Sequence, residues 1–184
     1  MKGGARSSSV VVSAVDHPVD FHALVDQGIN KPARYMGHEL GVVPRDWDQA
    51  CVRWALTYPE IYEVGSSNLG HIILYSILNA VPGQLCDRAY LPAPDLATRL
   101  REREQPLFAV ESRRPLLAFD VLGFSLSYEL GATNILEMLD LCQVPIHAAD
   151  RADLPLNDPA SVPLIFAGGP TATSNPEPYS SFFD

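Results

Sequence analysis

The chain has 184 residues, 47% of them apolar and 19% charged, the proportions of a folded domain and not of a disordered segment. Its 13 basic and 22 acidic side chains leave a formal net charge of -9, which disfavours nucleic-acid binding by bulk charge for this segment, because phosphate neutralisation needs a Lys/Arg surface. No apolar run reaches the ~18 residues of a membrane span, so none is indicated.

Residues 1–30 open with MKGGARSSSVVVSAV and show no sustained periodicity. The patch VVVSAV is shorter than the ~7–15-residue core of a signal peptide, and Asp16 follows it, so this stretch is predicted to be a disordered leader. From Lys31 apolar runs alternate with helical patterns. VRWALTY (52–58) predicts a strand stopped by Pro59; Leu69, Ile72, Ile73, Ile77 and Ala80 then recur at helical spacing, predicting a helix over 67–80 that Pro82-Gly83 ends. QLCDRAYL (84–91) predicts a second strand, and Asp95 opens a helix to about residue 104. PLFAVES (106–112) reads as short and irregular. AFDVLGFSLS (118–127) is nearly apolar throughout, as a strand covered on both faces should be, and 130–142 return to helical spacing. VPIHA (144–148) reads as a short strand or connector and the polar, Pro-rich 149–162 as a loop. PLIFAGG (163–169) is a further buried strand, PTATSNPEP a turn, and YSSFFD the beginning of a helical turn.

Strands alternating with helices predict an α/β fold, an open, doubly wound parallel sheet. The run stops at Asp184 in or after a helix where one more strand is expected, so the sheet is read as incomplete, missing its last strand. Such sheets bind ligands beyond the carboxyl ends of their strands, where strand order reverses. Three loops with small or polar residues fall there: 59–68, 125–131 and 168–178.

EVGSSNLGH (63–71) has the glycine spacing of a phosphate loop, G-x-x-x-x-G-K-[ST], but His71 and Ile72 stand where Lys and Ser/Thr are needed. What remains is a Gly-permitted turn in which Ser67 or Asn68 caps a helix, either as a plain cap or as a ligand contact. FSLSYELGATN (124–134) places Ser125 and Ser127 at a strand exit, where small residues let a flat ligand reach the backbone or simply cap the next helix. Glu129 has no partner carboxylate or His at a set spacing. In AGGPTATSNPEP (167–178), Gly168-Gly169-Pro170 turns the chain sharply, and Asn175-Pro176-Glu177 suits a helix entrance. The five histidines form no H-E-x-x-H, and His38 lacks the Asp of a D-x-H-x-x-G pattern because Met36 stands there. Cys51, Cys86 and Cys142 form no C-x-x-C, which fits a reducing cytoplasm and three buried side chains.

Taken in order, KPARYMGHELG (31–41), YPEIYEVGSSNLGHIILYSILN (58–79), LCDRAYLPAPDL (85–96), PLFAVES, FDVLGFSLSYELGATNILEMLDL (119–141) and IFAGGPTATSNPEP (165–178) resemble the N-terminal region of a family of radical S-adenosylmethionine proteins. Ser66 departs from the pattern, where Met is expected. The resemblance implies a flavodoxin-like, cobalamin-binding-like domain over 31–184, incomplete at its C-terminus, that precedes an iron–sulfur barrel absent from this chain. The barrel's [4Fe-4S] cluster and S-adenosylmethionine would need C-x3-C-x2-C, which is missing here, so this chain alone is expected to be non-catalytic and to hold no metal. It implies cobalamin as the candidate cofactor, held by Gly65, Asn68, Ser125, Leu126, Gly168, Gly169 and Pro170, and the barrel as partner. The expected function is an accessory domain presenting a cofactor or substrate to that barrel. The rivals are a packing or recognition module without cofactor, and a stand-alone flavin- or nucleotide-binding protein.

Overall fold

A computed structural model describes residues 17–42, 45–151 and 162–184. Residues 1–16 of the expected leader and 152–161 of the expected loop lie outside the described residues. Within them is a parallel four-stranded sheet: β1 (Val52–Tyr58), β2 (Gln84–Tyr90), β3 (Val121–Ser125) and β4 (Leu164–Gly168), in the order β2-β1-β3-β4. Six helices accompany them: α1 (Phe21–Leu24), α2 (Tyr62–Gly65), α3 (Leu69–Ala80), α4 (Pro94–Glu102), α5 (Gly131–Leu141) and α6 (Pro170–Ser174). The fold is the expected open α/β sheet wound on both faces.

The two faces are unequal. On one, Ala55, Leu85, Ala89, Leu122, Phe124 and Ile165 meet α4 and α5, whose Leu96, Leu100, Ile135, Met138 and Leu139 complete the main core. On the other, among the described residues, α3 alone lies over β1 and β2, packing Tyr75 against Leu56 and Cys86. No described helix covers the half of that face over β3 and β4. Leu164 and Phe166 are exposed there, so β4 alternates where a strand buried on both sides was expected.

Local chemistry accounts for the element ends. Asn68 accepts from the His71 N–H at 3.0 Å and starts α3 one turn after the unpredicted α2. The turn expected at 170–178 contains α6, with Pro170 at its first position, where a missing N–H costs nothing. The 144–148 segment forms no strand. The Arg151 guanidinium donates to the carbonyls of Pro145 (2.6 Å) and Ile146 (3.0 Å), and ties this connector to Phe182 and Asp184. Asp184 in turn lies on the free edge of β4, donating its N–H to the Ile165 carbonyl and accepting the Ile165 N–H at its carboxylate, both at 2.8 Å. Residues 17–30, placed by the sequence in the leader, contribute Phe21, Leu24, Val25 and Ile29 to the main core.

Candidate functional site at the carboxyl rim of the sheet

Strand order reverses between β1 and β3, so their carboxyl ends flank the position where open α/β sheets take ligands. The loops bearing Gly65 and Asn68, Ser125 and Leu126, and Gly168 to Pro170 all leave the sheet at this rim, because all four strands run the same way.

Gly65 is buried. A β-carbon there would press into the Tyr90 ring, 2.6 Å from Cε1, and stand 3.1 Å from the Tyr58 β-carbon. Its missing side chain is therefore explained by packing. Asn68 is also engaged: beyond its cap, its amide donates to the Tyr58 hydroxyl at 3.2 Å. The N–H groups of Gly65, Ser66 and Asn68 donate to Ile61, Tyr62 and Gly65 carbonyls. A phosphate loop leaves such donors free for its ligand; this turn spends them on itself.

On the β3–β4 side, Gly169 has φ +117°, and a β-carbon would lie 2.6 Å from the Leu126 carbonyl oxygen. The two loops are stitched together: the Leu126 N–H donates to the Gly168 carbonyl at 2.7 Å, and the Thr171 N–H to that of Leu126 at 3.3 Å. Leu126 is fully buried. Gly168 differs, since a β-carbon on it would meet nothing within 4 Å. Ser125 pairs with Gly168 in register and shares its uncovered face.

The crevice between β1 and β3 is bridged by the protein's own side chains. Tyr128 donates to the Glu60 carboxylate, and Asn134 donates to the Pro59 carbonyl at 2.8 Å. The Tyr128 hydroxyl is held above its ordinary pKa, first by this carboxylate and then by burial.

Beside it, over the ends of β1 and β2, lies a strap that the sequence did not announce. Lys31 and Arg34 bond the Glu63 carboxylate, at 3.1 and 2.7 Å, and Arg34 above all holds that carboxyl down to about 2. Tyr35 accepts the Ala93 N–H at 3.1 Å, and Gly37 (φ +63°) backs onto Val110, where a β-carbon would stand 2.8 Å from the carbonyl carbon. Glu39 reaches Arg88, whose Nε donates to Glu111 at 2.9 Å; Tyr75 donates to the same carboxyl, also at 2.9 Å. Burial, then the neighbouring Asp87, pushes Glu111 up to about 7. Asp87, itself raised by burial, accepts the N–H groups of Arg88, Glu111 and Ser112. The signal for this network was the pair Asp87-Arg88 inside an otherwise apolar strand, since buried charges come with partners.

Among the described residues no group of His, Cys, Asp and Glu could hold a metal ion. Cys86 and Cys142 are buried, Cys51 is exposed, and the three sit in separate elements, so they do not fit an iron–sulfur cluster. The sequence of residues 70–184 matches the family described as "Radical SAM proteins, N-terminal". The chain belongs to this family. No curated protein and no solved structure matches it. As a radical SAM N-terminal region, it is the accessory part of a protein whose core lies elsewhere in the full-length chain, and no helix of its described residues is long and apolar enough to cross a membrane.

Proposed function

We propose that this radical SAM N-terminal domain is a packing and recognition module that docks on the core of its full-length protein through the uncovered half of its sheet. One observation carries the reading. All-parallel sheets have both faces covered, yet over β3 and β4 this one presents Leu164 and Phe166 among its described residues, and α3 on the same face leaves Leu74 and Ile77 exposed. A strip two strands wide spans about 10 Å, close to the ~10–12 Å diameter of one helix. Large apolar side chains exposed together on a sheet face mark a contact site. The test is binding of this chain to a separately expressed core from a protein of the same family. Phe166→Glu or Ile77→Glu should weaken it at least tenfold; unchanged affinity in both variants ends the proposal. The cytoplasm belongs to the same proposal, because free, dispersed cysteines suit a reducing compartment.

A second reading, presentation of a cofactor or substrate, is favoured by Gly168, whose α-carbon is open on the face meeting the core. A flat ligand such as cobalamin would lie over Ser125 and Gly168, outside the bridged crevice. Incubation with cobalamin, desalting and a visible spectrum test it. Retained corrinoid bands that a bulky Gly168→Phe abolishes support this reading, and their absence removes it. A flavin spectrum from the purified chain would instead support the stand-alone cofactor protein.

A further inference from the structure

α3 carries apolar side chains on every side. His71, Tyr75 and Asn79 form its buried face, and Leu69 (69% exposed), Ile73 (48%) and Ile77 (56%) line the opposite one at i, i+4 and i+8. The neighbouring row of the same spacing, Ile72, Ser76 and Ala80, is exposed too, and its last two residues are small. A ridge of large side chains thus runs beside a shallow groove. The Ser76 hydroxyl donates to the Ile72 carbonyl at 2.9 Å, so covering the groove strands no donor. No Asp, Glu, Lys or Arg stands between Glu63 and Asp87, so the helix presents no charge of its own. Helices apolar all round are covered ones.

We propose that a second copy of this chain covers this face, the two α3 helices packing ridge into groove about a two-fold axis. Shape selects a second copy as the occupant. In a two-fold contact each patch meets its own duplicate, and α3 supplies both halves of the fit, the ridge and the groove, on one helix. Rows of i±4 spacing that interdigitate in this way cross at about −50°. Charge selects the same occupant. Each chain carries a formal net charge of -9 and repels its duplicate. Across a two-fold axis a charge faces its like, and α3 brings none there. The pairing uses Leu69 and Ile73 and not Phe166, so it stands apart from docking on the core; Ile77 is common to the two.

Sedimentation velocity of the whole chain from about 1 to 100 µM tests the pairing. The parent should pass from monomer to dimer and no further, because a two-fold contact closes on itself. Ile73→Glu should weaken the dimer at least tenfold, and Phe166→Glu should leave it unchanged. Ser76→Leu separates a fitted contact from mere stickiness: it adds apolar surface but fills the groove, so it should also weaken the dimer. Monomer throughout the range overturns the proposal. So do a dimer that Ile73→Glu leaves intact, open-ended polymers, or tighter pairing of Ser76→Leu. If circular dichroism shows Ile73→Glu misfolded, Leu69→Glu, at the more exposed end of the ridge, takes its place. Core binding is measured on the same variants, and either contact can fail while the other holds.

Discussion

The α-carbon of Gly65, at the end of α2, lies against the ring of Tyr90, at the end of β2, with no room for a methyl group between them. Tyr90 is held in place: it is buried, and Tyr62 meets its ring edge-on at 5.4 Å. Gly65→Ala should therefore overpack the rim and destabilise the chain by about 1–3 kcal/mol. Urea unfolding checks this, and a midpoint at or above that of the parent would contradict it.

Gly168 and Gly169 are adjacent yet should respond in opposite ways. Gly168→Ala enters open space from a strand backbone, and should be neutral or stabilising by up to about 1 kcal/mol through the unfolded state. Gly169→Ala meets the Leu126 carbonyl oxygen at 2.6 Å with φ +117°, and should destabilise by more than about 1 kcal/mol. Thermal melts of the two variants compare them directly.

Arg88 stands between Glu39 and Glu111 with its guanidinium 4.8 Å from the Tyr75 ring centre. Arg88→Met leaves both carboxyls without their cation, and breaking a buried pair from one side costs about 3–5 kcal/mol. Adding Glu39→Gln and Glu111→Gln removes the stranded charges, and should recover part of that loss. A triple variant no more stable than Arg88→Met would show that the charges were not the cause.

Two buried groups give opposite pH dependences. His71 has a folded pKa of about 4, below its ordinary 6.5. Unfolded chains take up its proton first, so its contribution is complete above pH 6.5 and is lost as pH falls toward 4, by about 3 kcal/mol at 1.36 kcal/mol per unit. Glu111 has a folded pKa of about 7, above its ordinary 4.5. Its contribution is complete below pH 4.5 and is lost as pH rises through 7, by a similar amount. The parent should show a shallow profile between pH 4.5 and 6.5, where the two offset each other. Glu111→Gln should lose stability steeply on acidification across that window, and His71→Gln should gain it. Urea midpoints measured at several pH values read the slopes, and parallel profiles in all three proteins would refute the assignment.

The alternation of apolar runs with helical spacing sufficed to place β1, β2, α3, α4 and α5 within a few residues, because periodicity is a local property of the chain. Asn68 as the cap of α3 was equally legible, since a cap acts over three residues. Other features were not. The apolar PLIFAGG reads alike whether one or both faces are covered, so the exposure of Phe166 could not be seen there. α2 and α6, of four and five residues, are too short to display a period.

The glycines separate the two kinds of knowledge most sharply. From the sequence, Gly65, Gly168 and Gly169 share one description, small residues at strand exits facing a possible ligand. In space, Gly65 makes way for Tyr90, Gly169 for the Leu126 carbonyl, and Gly168 for nothing within 4 Å. The sequence alone determined the fold class, the parallel sheet and the end of it at which the special loops gather, because these follow from short-range pattern. Tertiary structure decided which loops touch, that the β1–β3 crevice is bridged by Tyr128 and Glu60, and that the 31–41 strap is tied to β2 through Glu39 and Arg88. Those outcomes depend on side chains tens of residues apart meeting across strand ends, and their identity is carried by no local spacing.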